Sequence, residues 1–315
     1  LEFRRVLFRS LVDGFLPAQS RRPLQRPAAR GRPAFHRWQR HDPPGRDVGG
    51  GAYILPEQRF RDGFKIAGDD IVLDVIRAVV LPGIGQAFKS AGVPEPEALI
   101  SKLMGSESLD AQLAVLRQQF ALQVLYPVAL SVIKEYERYD PLEPGNLGSR
   151  LVSELLSEAG QPTSDVLTYI NTAVQRAGGT QAIGFSIMDV GVQINLRRLH
   201  ELFLRGEMNI CKTLKAMSEV VYAYQPDVLL LTGRPSRMPG VLAYVRSLLA
   251  LPAGRILPMH QYKTGPWYPF HKNGRIDDPK STAAVGAMLC LLSRSLRLPN
   301  FFFRSAAFKP YSTVR

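Results

Sequence analysis

The run Asp227-Val-Leu-Leu-Leu-Thr-Gly-Arg-Pro-Ser-Arg-Met-Pro-Gly-Val241 holds residue types that could meet a flat ligand. A short continuous apolar stretch, Asp227 to Thr232, has the pattern of a strand buried on both faces. It delivers the chain to Gly233, where the missing Cβ lets the backbone approach a ligand closely. Ser236 and Pro239 then open a helix whose free N–H groups and positive dipole end face the same cleft. Arg237 adds a planar guanidinium able to stack on a base. Together these residues form a ligand-facing strand–turn–helix corner without naming the ligand. An ordinary turn of an α/β domain would use the same residues.

The elements that must position this corner are legible in outline. Gly68-Asp69-Asp70 opens an amphipathic helix through Val80, with Asp69 or Asp70 as its N-cap and Pro82-Gly83 as its stop. Alternation from Arg59 to Ile66 suits a strand. From Pro96 to Tyr139 the pattern is helical, with Leu109, Leu113, Leu116, Phe120, Val124 and Val128 on one stripe. Pro127 there kinks the helix or restarts it at its first position. Helices are also expected over Leu147 to Ala159 and over Ser164 to Arg176, the second capped by Ser164 or Asp165 and stopped by Gly178-Gly179. A strand-like run, Ala182 to Val190, precedes helices over Asn195 to Leu204 and Asn209 to Tyr224. This order predicts an α/β domain with a helical subdomain over about 84–180.

Charge is concentrated rather than spread. Of the formal +13, +8 lies between Leu1 and Arg46, where eleven arginines face only Glu2, Asp13 and Asp42. That Arg/Pro/Ala/Gly-rich segment, taken with its neighbours as residues 1–51, lacks the apolar periodicity of a folding unit. Two readings fit it: a disordered basic arm that binds phosphates by counterion release, or a shifted reading frame in GC-rich DNA. The body is only mildly basic, so nucleic acid is not the expected partner and other proteins are. The chain starts without Met and stops at Arg315, as expected of a fragment, and its start lacks the order of a signal peptide.

Other chemistry is thinly represented. No uninterrupted apolar run reaches the roughly 18–20 residues of a spanning helix, so membrane insertion is not expected. Cys211 and Cys290 sit in helical patterns and read as core thiols rather than a disulfide. His36, His41, His200, His260 and His271 show no metal-ligand spacing. There is no P-loop, and Gly83-Ile-Gly85 lacks the rest of a dinucleotide fingerprint. Trp267, Tyr268 and Phe270 beside Lys263, His271 and Lys272 could stack on bases or form a surface loop packed on the core.

Gly233, Ser236, Arg237, Met238 and Pro239 resemble, in order, the adenosine loop of the actin/Hsp70 superfamily, with Arg234 and Pro235 departing from its Gly-Gly pattern. Asp277-Asp-Pro-Lys-Ser-Thr-Ala-Ala-Val-Gly-Ala287 resembles the helix start that follows that loop. The small residues Ala283, Ala284, Gly286 and Ala287 otherwise suit close helix packing. Ala67-Gly68-Asp69-Asp70-Ile-Val-Leu-Asp74 resembles the helix start after the superfamily's second phosphate loop, and Asp47-Val-Gly49-Gly50-Gly51-Ala52 is similar to that loop itself. The resemblance implies a ribonuclease-H-like second lobe over 52–315 with a helical insertion. Gly233 would lie against the nucleoside and Arg237 on adenine. Gly49, Gly50, Gly51 and Gly68 would face phosphate, and Asp47 would hold water on Mg²⁺, with ATP as the nucleotide of the intact parent.

Across Ala52 to Arg315, the combination of Leu231 to Gly240, Trp267 to Phe270, Gly274 to Lys280, Leu298 to Phe303 and Pro310 to Thr313 resembles the bacterial SrfB virulence-factor family. That resemblance implies a bacterial protein with an actin-like ATPase core, cytoplasmic or exported to a host. The 315-residue piece itself is not expected to turn over ATP. The alternative is a non-catalytic scaffold or effector that keeps the fold without nucleotide.

Overall fold

A computed structural model of the chain describes residues 52–54, 56, 60, 63, 66, 68–104, 111–143, 147–299 and 301–303. The Arg/Pro-rich segment, the loop residues Asp47, Gly49, Gly50 and Gly51, and most of the expected strand Arg59 to Ile66 lie outside them. The chain divides into two compact units. One comprises the described parts of Leu1–Lys65, Glu219–Ser236 and Ala250–Arg315. The other comprises those of Ile66–Ser218 and Arg237–Leu249. Helices dominate, and the strands of the described residues occur in two-stranded pairs.

The second unit is built on two long helices, Gly68–Ser90 and Ala111–Tyr136. Both run through a proline. In each, five residues of π-turn, Ile76–Val80 and Ala121–Leu125, precede the proline, so that Pro82 and Pro127 fall in the first turn of the restarted α-helix. The N–H groups of Leu81 and Tyr126, just before the prolines, reach five residues back to the Ile76 and Ala121 carbonyls, so the ladder is widened where proline supplies no N–H. Pro82-Gly83 therefore does not stop the first helix, contrary to the sequence expectation. Gly83 has a different task, since a Cβ there would sit 3.2 Å from the Val192 Cα. These unbroken helices are long and apolar enough to cross a membrane by length and composition alone. Their apolar faces are spent within the unit: Ile71, Val75, Val80 and Phe88 on one, and Val124, Val128, Val132 and Tyr136 on the other, are fully buried. Of the expected stripe, Phe120, Val124 and Val128 are buried, whereas Leu113 is exposed and Leu109 lies outside the described residues.

Two local expectations are corrected. Leu147–Leu151 is a strand (β2), with only Val152–Leu155 helical after it. It pairs antiparallel with Gly191–Asn195 (β3), which begins where the expected Ala182 to Val190 strand ends. Ser186 instead caps a 3₁₀ turn, Ile187–Asp189, and Asn171 Oδ1 accepts the Ile187 N–H at 3.0 Å. Gly148 and Ser149 are weak helix formers, so a partner strand more than forty residues away decides their state. The helices Ser164–Gly178, Leu196–Leu204 and Asn209–Tyr224 form close to where they were expected. Thr163 rather than Ser164 or Asp165 takes the N-cap position of the first. Asn195 Oδ1 caps the second through the Arg198 N–H at 2.8 Å.

At the centre of this unit, the Tyr136 hydroxyl lies 2.9 Å from His200 Nδ1 and receives the backbone N–H of Gly240. The Tyr136 ring stacks on Phe203 with centroids 5.8 Å apart and planes 7° from parallel. Gly240 opens onto this stack so closely that a Cβ would meet the Tyr136 hydroxyl at 2.4 Å and Phe203 Cγ at 2.5 Å. Burial is the larger influence on His200 and lowers its pKa, outweighing neighbouring Glu201.

The first unit contains Leu229–Leu231 (β4) parallel to Ile256–Pro258 (β5), and Ala52–Ile54 (β1) parallel to Phe301–Phe303 (β8). A small hairpin joins His271–Lys272 (β6) to Arg275–Ile276 (β7). Met259, Tyr268, Ile276 and Val285 form a buried cluster, against which Leu230, Tyr262 and Leu289 pack.

Two outcomes follow for the second unit. Gly240→Ala should lower its unfolding free energy by about 1–3 kcal/mol, the usual range for overpacking, as read by urea denaturation. For His200 the folded pKa lies below the unfolded value, so its neutral form contributes stability that is intact above pH 6.5 and lost as pH falls. The urea midpoint should therefore drop between pH 7.5 and pH 5 on a ~1-unit grid of buffers, and His200→Gln should flatten that drop.

Candidate functional site

Around Gly233 the chain does adopt the strand–turn–helix order read from the sequence. Leu229 and Leu231 are buried, Gly233 has φ +80°, and Arg234–Arg237 makes a 3₁₀ turn. Pro239 then starts the helix Pro239–Leu248 at its first turn. Gly233 needs its glycine for backbone conformation, because a side chain at that φ is strained. Among the described residues an added Cβ would meet only Pro235 Cδ, at 3.8 Å, so no described side chain fills the space beside it.

The polar groups of the turn are mostly answered from within the protein. Ser236 is 3% exposed and donates both its N–H (3.1 Å) and its hydroxyl (2.7 Å) to the Gly233 carbonyl. Thr232 Oγ1 lies 2.7 Å from the Pro279 carbonyl and 2.5 Å from Thr282 Oγ1, which itself lies 2.8 Å from the same carbonyl. The Gly233 N–H points at that oxygen too, at 3.5 Å. Two hydroxyl protons thus serve one bond between the threonines and one to Pro279. This clasp brings together the two sequence motifs, Thr232 to Pro239 and Asp277 to Ala287, which were recognised separately.

The second motif is a capped helix start. Asp278 Oδ1 accepts the Lys280 N–H at 2.9 Å, and Ser281 donates its hydroxyl to the Asp278 carbonyl at 2.6 Å. The helix Thr282–Arg294 follows. Among the described residues the close packing expected of its small residues is not seen: Ala284 and Ala287 are exposed, and a Cβ on Gly286 would meet nothing within 4 Å.

Ser236 belongs to the first unit and Arg237 to the second. Arg237 Nε pairs with Glu137 Oε2 at 3.1 Å, and the Glu137 carboxylate is only 6% exposed. The Gly240 N–H, expected to be free at the helix start, is given to Tyr136. Glu137 and Tyr136 are the partners sequence reading missed. Their only signal was an acidic and an aromatic residue at the end of a predicted apolar helix.

The upstream candidates resolve differently. Gly68 does open a helix, with Asp69 and Asp70 in its first turn. Asp74 accepts the Asn209 N–H at 2.7 Å and the Asn209 side-chain amide at 2.5 Å, which ties it to the start of the helix Asn209–Tyr224. Burial raises its pKa despite these bonds. Asp74 thus caps the start of that helix. Burial likewise pushes the Cys211 thiol up to about 11 and raises that of Cys290, and both cysteines are free.

One cavity was not foreseen. A space of about 440 Å³ in the second unit is bounded by Pro82, Gly83 and Gln86 on the first long helix, Gln193 on β3, and Arg198 and Leu202 on the next helix. It lies beside the Ile76–Val80 π-turn, whose residues Ala78 and Val79 also line it. The only hint in the sequence was a Pro-Gly pair inside an otherwise helical apolar pattern.

The model of the family Virulence factor SrfB matches residues 41–315. The chain belongs to that family. SrfB membership covers both the Gly233 turn and the Pro279 helix start, and it agrees with the resemblance carried by Leu231 to Gly240 and Gly274 to Lys280. No curated protein and no solved structure matches the chain.

The clasp predicts coupling. Thr232→Val and Thr282→Val should each cost about 1–2 kcal/mol, the penalty for a partly buried hydroxyl bond. The double variant should cost less than the sum by roughly 0.5 kcal/mol or more, as expected of residues in one network. Chemical denaturation of the four proteins measures both.

Proposed function

We propose that this SrfB chain is a virulence-associated scaffold of actin/Hsp70-type ancestry, in which the former adenosine turn serves as a structural clasp. The observation that carries this reading is the use of the turn's polar groups. The Ser236 hydroxyl is spent on Gly233, the Gly240 N–H on Tyr136, and Arg237 Nε on Glu137. A nucleoside that hydrogen-bonded to these groups would have to compete with bonds each worth about 0.5–1.5 kcal/mol net and more where charge is involved. Arg234 adds a large cation where the superfamily pattern places a second glycine. The fit of the residues present to ATP and Mg²⁺ is therefore poor, and no reaction step is assigned to them. On this reading the chain neither binds nor hydrolyses ATP.

A second reading, an adenine-binding turn, is favoured by one observation: no described side chain fills the space beside Gly233 at φ +80°. Titration of a fluorescent ATP analogue with Mg²⁺ into the 315-residue chain separates the two. The scaffold reading expects no saturable signal and no difference on Arg237→Ala. Saturable binding that Arg237→Ala weakens by roughly tenfold, the effect of losing ~1.4 kcal/mol, would establish the second reading instead.

A further inference from the structure

The loop from Tyr262 to Ile276 in the first unit has a construction that the clasp does not account for. Its sequence, Tyr-Lys-Thr-Gly-Pro-Trp-Tyr-Pro-Phe-His-Lys-Asn-Gly-Arg-Ile, contains Lys263, Lys272, Arg275 and His271 and no acidic residue. Tyr268 anchors it from inside, 3% exposed, with its hydroxyl 2.8 Å from Ser281 Oγ. Asn273 and Gly274, with φ of +52° and +72°, close a tight turn between β6 and β7. The Gly274 carbonyl accepts the N–H groups of Thr264 (2.9 Å) and Gly265 (3.1 Å), and the Phe270 carbonyl accepts that of Asp277 (2.9 Å). The loop is a fixed object.

Two features of this object oppose stability of the isolated protein. First, Arg275 is the register partner of Lys272 on one side and of Lys263 on the other. Directly opposed residues share a face of the ribbon, and like charges so placed repel. Ile276, the next residue, enters the core, so alternation turns Arg275 away from it. Among the described residues, no ion pair is formed by Lys263, Lys272 or Arg275. Second, Pro266, Trp267, Pro269 and Phe270 are all exposed, with Trp267 and Phe270 at 52% each. The two rings brace edge-on against the anchor Tyr268, at 76° and 71°. A contiguous apolar tip beside an unneutralised row of three cations calls for a partner that is anionic and apolar together.

We propose that this loop is a contact for an anionic lipid surface. Trp267, Phe270 and the two prolines enter the interfacial layer, where amphipathic aromatic rings are favoured. Lys263, Lys272 and Arg275 meet headgroup phosphates, which relieves their mutual repulsion. Single-stranded nucleic acid would also answer the cations, but base stacking uses separated aromatic faces along a groove. Here the exposed surface between the rings is proline, which neither stacks strongly nor donates a hydrogen bond. The contact is peripheral.

The test uses the full 315-residue chain carrying Trp38→Phe, so that Trp267 is the only fluorophore of its kind. It is mixed with phosphatidylcholine vesicles with and without phosphatidylserine. The expected result is a blue shift of Trp267 and its quenching by acyl-chain-brominated lipid, only when phosphatidylserine is present. Lys272→Gln and Arg275→Gln should each weaken the partition roughly fivefold, and Phe270→Ser should weaken it without altering far-UV circular dichroism. Sedimentation with vesicles while Trp267 stays unshifted would overturn the proposal, since the basic segment before Arg46 could produce that alone. A Trp267 response to oligothymidylate but not to vesicles would overturn it in favour of nucleic acid.

Discussion

The carbonyl oxygen of Pro279 holds the first unit's functional region together. It sits between the hydroxyls of Thr232 and Thr282 and faces the Gly233 amide. A proline is well suited to the position, because it fixes the backbone at the helix start while supplying an acceptor and no competing donor. Through this oxygen the end of β4 and the start of the Thr282–Arg294 helix become one corner. A buried carbonyl with several donors is costly to expose, so the corner resists opening. Its stability comes from polar groups of the turn and the helix start bonding one another.

The second unit solves a related problem with different means. Pro82 and Pro127 would break two core helices, and a π-turn ahead of each widens the hydrogen-bond ladder where the proline offers no N–H. The cavity beside Pro82 and the stacked Tyr136, Phe203 and Gly240 contact both arise in this setting. His200 joins the contact as a hydrogen-bonded ring whose pKa burial lowers, which makes the unit's packing sensitive to acid. Membership in the SrfB family sets these features in a virulence-associated protein. The acid-free loop with its aromatic tip is the part of the surface that looks outward for a partner.

Legibility followed range. The helix at Asn195 could be read because its cap is three residues from its target, and the helix Asn209–Tyr224 because its apolar spacing is internal. The Gly233 turn could be read because glycine, serine and proline act on their own backbone. Failures came where distant residues ruled. Leu147–Leu151 became a strand through pairing with β3, and the Pro82-Gly83 stop was overridden by a π-turn. The small residues of the Thr282–Arg294 helix predicted packing that is not seen among the described residues. The expected phosphate-loop residues Asp47, Gly49, Gly50 and Gly51 lie outside the described residues.

The sequence by itself determined the identity of the chemistry: which residues could bend, cap, stack or carry charge, and in what order, well enough to point to the SrfB family. Tertiary structure alone decided how those groups are spent. Arg237 reads from the sequence as a planar cation, and only the fold shows that Glu137, a hundred positions earlier, takes its Nε. Gly240 reads as an open helix start until the Tyr136 hydroxyl receives its N–H. Propensity and spacing act over a turn or two of chain, whereas hydrogen bonds and ion pairs are settled by whichever buried partner the fold brings within about 3 Å.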